Sequence, residues 1–147
     1  MLRGKKIVLG VSGGIAAYKA CELVSRLKKQ NAEVHVIMTA SAVKFVTPLT
    51  FQSLSLNQVI VDMFDAPNYW EIEHISLAKL ADAIVVAPAT ANIIGKLANG
   101  IADDMLSTTI MATKAKVILA PAMNTNMYEN PVFQRNLKLL SELGYVM

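Results

Sequence analysis

Lys5-Lys6-Ile7-Val8-Leu9-Gly10-Val11-Ser12-Gly13-Gly14-Ile15-Ala16 carries the architecture in miniature. Two lysines lead into an unbroken apolar run, the pattern of a strand buried on both faces. Two glycines follow at once. Ile15, Ala16, Cys21, Leu23, Val24 and Leu27 then recur at helical spacing. Arg26, Lys28 and Lys29 crowd the last turn, where cations complement the helix dipole, and Asn31 is the stop. A buried strand that turns through glycine into an amphipathic helix is the opening unit of an α/β protein.

The same alternation continues outward. Val34 to Met38 reads as a second strand, followed by the loop Thr39-Ala40-Ser41. A helical piece around Ala42 to Val46 is broken near Pro48, and another spans Thr50 to Leu56. Val59 to Val61 is a short third strand. Asp62 to Trp70, with a proline and three aromatics, is an exposed loop, and His74 leads into a short helix at Ser76 to Leu80. Ala83 to Ala87 is a fourth strand ended by Pro88. Helices are expected over Asn92 to Asn99, with Gly100 as stop, and from about Asp103 to Ala112. Lys116 to Ala120 is a fifth strand ended by Pro121. Asn130-Pro131 is a cap with proline at the first helical position, and the last helix runs to Leu143 with Gly144 past its end. Strands alternating with helices predict a parallel sheet covered on both faces, with residues 1–147 as a single domain. Right-handed crossovers place every strand-to-helix loop at the carboxyl edge, where such sheets bind ligands.

Composition narrows the function classes. Apolar residues are 54% and charged residues 17% of the chain, which argues against disorder. No window approaches roughly 18 uninterrupted apolar residues, so no membrane span is expected. The net charge is +3, with basic residues spread out and not interleaved with aromatics, so no nucleic-acid surface is expected. The lone Cys21 excludes an internal disulfide. With no signal-peptide pattern at the N-terminus, the expected location is cytoplasmic.

The loop Gly10 to Ile15 lets backbone N–H groups approach a phosphate at a helix start; the alternative is a tight turn that merely needs glycine. It lacks the G-x-G-x-x-G spacing, and no G-K-[ST] follows. A dinucleotide site would also want an acid after the second strand, where this chain has Met38-Thr39-Ala40-Ser41. A mononucleotide without an adenosine half fits better. Thr90-Ala91-Asn92 combines a hydroxyl and an amide that either cap the next helix or meet a ligand as well. Asn124 is either a donor to a carboxylate or a turn cap. His74 is either a proton-transfer group or a surface histidine. His35, inside a strand, and Cys21, on the apolar side of the first helix, read as structural. Asp103 and Asp104 read as a cap and a first-turn acid.

Taken in order, Ser12 to Lys19, Glu73-His74-Ile75, Ala87 to Asn92, Lys96 to Asp104 and Pro121 to Tyr128 resemble the homo-oligomeric flavin-containing cysteine decarboxylases over essentially the whole chain. The resemblance implies a flavodoxin-like, Rossmann-type three-layer sandwich that binds FMN at a subunit boundary in trimers or dodecamers. It places Gly13, Gly14 and Ile15 at the FMN phosphate region. Thr39 and Ser41, then Thr90, Ala91 and Asn92, line the neighbouring loops, and Ala122 lies near the flavin. Asn124 would hold the substrate carboxylate and His74 would assist. No metal is implied. The branch it most resembles acts on 4′-phosphopantothenoylcysteine in coenzyme A biosynthesis, by thiol oxidation to a thioaldehyde, CO₂ loss and reduction. Peptidyl-cysteine decarboxylases and non-catalytic interaction flavoproteins are the alternatives. The family's cysteine-bearing flap would begin near Gly144 to Met147. The expectation is therefore a domain cut before that flap, with a synthetase domain fused beyond it in the longer protein. Tyr128 stands where the family usually has tryptophan.

Overall fold

The structure, a computed structural model, describes residues 1–61 and 76–147. His74 and the expected loop at Asp62 to Trp70 lie outside them. Strand β1 (Lys6–Val11) passes into a single 3-10 turn (Ile15–Tyr18) and only then into α1 (Lys19–Lys29), so the expected single helix is two pieces. The end of α1 follows the sequence: Asn31 takes φ 67°, its N–H reaches Lys28 O at 2.9 Å, and the N–H of Ala32 reaches Leu27 O at 3.1 Å. That pair of bonds satisfies carbonyls the helix would otherwise leave open. Strand β2 (Glu33–Met38) is followed by a 3-10 turn (Ala42–Lys44) in place of the expected helix, and by α2 (Pro48–Ser55). Pro48 does not break a helix but starts one. With Thr47 as N-cap it sits at the first helical position, where its missing N–H costs nothing.

Residues 76–80 form α3. Strand β3 (Ala83–Ala89), α4 (Ala91–Ala98), α5 (Met105–Ala112), β4 (Lys116–Pro121), α6 (Thr125–Glu129) and α7 (Pro131–Glu142) complete the described elements. Both Ala-Pro-Ala strand ends run one or two residues further than the prolines suggested. β3 continues through Pro88 because its register to β4 shifts between Val86 and Ala89, so no ladder bond is asked of the proline nitrogen. The expected strand at Val59 to Val61 is reduced to one parallel rung, Ile60 against Ile37. A second rung, Val146 against Ile118, was not foreseen.

All strand pairs are parallel, in the order β2-β1-β3-β4, the flavodoxin-like arrangement. Alternation along β1 sends Val8 to one face and Ile7, Leu9 and Val11 to the other. The first face packs Ile84, Val86 and Leu119 under Ile93, Leu106, Phe133 and Leu140 of α4, α5 and α7. The second packs Val34, Val36 and Met38 under Ala20, Val24 and Phe51 of α1 and α2. Each fully buried large side chain is worth roughly 1.5–3 kcal/mol. A Cβ at Gly10 would overlap Leu106 Cδ1, so the Leu106 side chain, packed from α5 onto the sheet, would have to shift. Among the described residues no helix is long and apolar enough to cross a membrane.

Candidate active site

β2 lies on one side of β1 and β3 on the other, so the chain reverses its winding direction between β1 and β3. Loops leaving those two strands diverge and leave a crevice at the carboxyl edge. A cleft of about 850 Å³ occupies that place, within the usual range of roughly 300–1,000 Å³ for a ligand site. Gly13, Gly14 and Ile15 line it from the loop after β1, and Thr39 and Ser41 from the loop after β2. Thr90, Ala91 and Asn92 line it after β3, and Ala122 and Asn124 after β4. Every expected site residue within the described stretches therefore reaches one cavity; His74 lies outside those stretches.

Local bonding explains the loop shapes. The Ser12 side chain, 2% exposed, donates from Oγ to Pro88 O and accepts from the Thr90 N–H at 3.0 Å. Thr39 N donates to Val11 O at 3.0 Å, and Ala122 N to Ala89 O at 3.1 Å, so adjacent loops are tied strand to strand. Gly13 is a second glycine that cannot be replaced freely. A Cβ there would overlap Ser41 Cβ and come within 2.9 Å of the Ser41 carbonyl carbon. Its own N–H makes no hydrogen bond among the described residues, which leaves a donor beside the start of a helical turn.

Thr90 and Asn124 are caps and cleft residues at once. Thr90 Oγ1 accepts from Ile93 N at 3.3 Å, and Asn124 Oδ1 accepts from Met127 N at 2.9 Å. The cap fixes which end of the Asn124 amide is oxygen. Nδ2 makes no hydrogen bond among the described residues and is a spare donor.

Among the described residues, Lys96 and Asp104 are the only charged groups lining the cleft. Lys96 Nζ lies 2.9 Å from Asp103 Oδ1 and 3.2 Å from Asp104 Oδ2. Burial opposes the Lys96 charge, but the two carboxylates outweigh it and hold its pKa above the ordinary lysine value. Hydrogen bonding to Lys96 in turn lowers the Asp103 pKa. Asp104 is the N-cap of α5, in a reciprocal capping box with Ser107. Asp104, expected in the first turn, is thus the cap itself, and Asp103, expected as the cap, precedes it. The sequence singled out neither Lys96 nor Ser12 as a site residue. Lys96 sits in the last turn of α4, where a lysine reads as ordinary dipole compensation. Ser12 carries no signal beyond being small.

The remaining readings concern groups away from the cleft. His35 Nε2 pairs with Glu33 Oε2 at 2.7 Å, and this bond lowers the Glu33 pKa. Burial raises the Cys21 pKa, which keeps the thiol protonated at neutral pH.

Fold and cleft together define a doubly wound α/β protein whose strand-end loops line one cleft at the switch point. Residues 1–147 match the Flavoprotein family, and the chain belongs to it. It is 57% identical, over 99% of its length, to the coenzyme A biosynthesis bifunctional protein CoaBC of Bacillus subtilis, of which it covers 36%. The chain thus spans about a third of the length of the curated relatives it matches. Among solved structures it resembles the FMN-dependent cysteine decarboxylase SpaF (TM-score 0.90, 31% identity, 99% of this chain and 84% of that one). It also resembles a mutant PPC decarboxylase complexed with pantothenoylaminoethenethiol (TM-score 0.84, 33% identity, 98% and 81%).

Proposed function

We propose that this chain is an FMN-dependent decarboxylase domain acting on 4′-phosphopantothenoylcysteine in coenzyme A biosynthesis. One observation carries the reading: the glycine loop, the Thr39/Ser41 and Thr90–Asn92 loops and Asn124 line a single cleft at the switch point. The identity to the coenzyme A biosynthesis protein favours this small-molecule thiol over a peptidyl cysteine.

FMN fits the residues present. The Gly13 N–H is unpaired among the described residues at the start of a helical turn, a Cβ on Gly14 would meet nothing nearer than Thr90 Cγ2 at 3.6 Å, and the hydroxyls of Thr39, Ser41 and Thr90 suit a phosphorylated polyol. The absence of an acid after β2 disfavours the ribose of a dinucleotide. Bound FMN supplies the two-electron oxidation and reduction that turn a cysteinyl carboxylate into one able to leave as CO₂. The chain supplies position and charge. Gly13, Gly14 and Ile15 hold the phosphate, while Thr39, Ser41, Thr90, Ala91, Asn92 and Ala122 line the rest of the cofactor. Asn124 Nδ2 donates to the substrate carboxylate and orients it. His74 handles a proton. The domain occupies residues 1–147 and acts in the cytoplasm beside a fused synthetase domain, as a trimer or a multiple of trimers such as a dodecamer.

The test is incubation of the FMN-loaded chain with 4′-phosphopantothenoylcysteine and mass analysis of the products. Loss of CO₂ from that substrate, and not from a peptide ending in cysteine, is the expected result. Loss from the peptide alone would transfer the assignment to the peptidyl branch. Loss from neither would leave a flavoprotein acting through contacts.

A further inference from the structure

Past the Gly10–Val86 pair, the β1–β3 ladder has no regular rung. β3 departs from its register there, and Pro88 has no N–H to offer. Both strands nonetheless deliver their loops to the same cleft, so their separation at this level sets its width. Ser12 spans the gap. Its N–H donates to Pro88 O at 3.3 Å, its Oγ donates to the same oxygen, and that Oγ also accepts from Thr90 N. One hydroxyl therefore stands in for a missing stretch of ladder, joining groups 76 and 78 residues apart in sequence. The consequence reaches the next residues. Gly14 Cα is close enough to Thr90 that a Cβ on it would stand 3.6 Å from Thr90 Cγ2, and Thr90 Oγ1 then caps α4.

We propose that Ser12 is a positioning residue of the cofactor cleft: its hydroxyl fixes the glycine loop and the Thr90–Asn92 loop at the spacing that FMN requires. The inference rests on the FMN reading above and deepens it. Alanine at this position would keep the Ser12 N–H bond but leave the part-buried Thr90 N–H without its acceptor, and a donor shielded from water without a partner is costly. The loops relieve that cost by moving apart or admitting water, and either change displaces the groups that hold the ligand. Threonine retains the hydroxyl and so retains both bonds.

The experiment measures FMN affinity of the apoprotein by flavin fluorescence, together with apoprotein melting, for wild type, Ser12→Ala, Ser12→Thr and Thr109→Val. Thr109 is the control. Its hydroxyl is also fully buried and bonded, to Met105 O at 2.7 Å, but it does not line the cleft. Ser12→Ala is expected to weaken FMN binding about tenfold. Ser12→Thr is expected to stay within about twofold of wild type, and Thr109→Val to lower the melting temperature without changing FMN affinity. Wild-type affinity in Ser12→Ala would overturn the proposal. So would equal weakening by Thr109→Val, because affinity would then merely track stability. Failure of the wild-type protein to take up FMN is a separate outcome that sinks the cofactor assignment itself.

Discussion

In the proposed function Asn124 has two roles: Oδ1 closes the first turn of α6, and Nδ2, without a partner among the described residues, donates to the substrate. Aspartate keeps a good cap acceptor, so Asn124→Asp separates the two roles. It should fold and bind FMN normally while losing nearly all decarboxylation. On the proposed reading, the mutant replaces an orienting donor, worth about 3 kcal/mol by comparison with other preorganised donors, with a like charge facing the substrate carboxylate. Steady-state rates and flavin absorbance on the same sample check this, and near-normal turnover would remove Asn124 from the mechanism. Gly13→Ala tests the opposite side of the cleft. The new methyl meets Ser41 side chain and backbone together, so the loop after β2 must shift. Overpacking of this kind costs typically about 1–3 kcal/mol. FMN affinity should fall with it, as read by titration of the apoprotein.

Between elements, the Lys96 ion pairs join α4 to the start of α5 along the cleft wall. Asp103 has a folded pKa below its ordinary value, so its contribution to stability is present above about pH 4 and is lost as pH falls through the lower folded value. Lys96 has a folded pKa above its ordinary value, so its share is present below about pH 10 and is lost as pH rises through the higher folded value. Lys96→Met should therefore differ most from wild type between those limits and converge with it in strong acid. Urea midpoints at neutral pH and near pH 2 measure this. An equal gap at both pH values would mean that the lysine acts through its apolar stem alone.

Elements were legible where periodicity ran long enough to outvote local signals. The run read over Lys5 to Val11 is β1 from Lys6 on, and the Asn31 stop and the Asn130-Pro131 start of α7 stand as read. Proline misled in both directions. At Pro48 it opened a helix, and at Pro88 a shifted register let the strand pass through it. The rungs at Ile60 and Val146 are too short to leave a pattern of period two. The cleft loops were legible because each follows a strand and so falls at the same edge. Ser12 was not, because its partners lie 76 and 78 residues away and no local pattern announces them.

For the whole molecule, the exposed Ile15, Tyr18, Phe45 and Leu49 side chains leave apolar surface near the cofactor loops and α2. Together with the proposed subunit-boundary site, they lead to the expectation of a trimer or a multiple of three, with FMN uptake depending on assembly. Light scattering across an FMN titration checks it, and a monomer saturated with FMN would contradict a shared site. The account as a whole stands or falls on whether this cleft couples flavin reduction to CO₂ loss. The direct measurement is a single turnover without oxygen, in which FMN-loaded protein is mixed with 4′-phosphopantothenoylcysteine while flavin absorbance and released CO₂ are followed together. The account predicts transient loss of the oxidised-flavin band accompanying CO₂ release, with the band returning as the product is reduced, and neither signal in Asn124→Asp. An unchanged band with no CO₂ from the wild-type protein would contradict it.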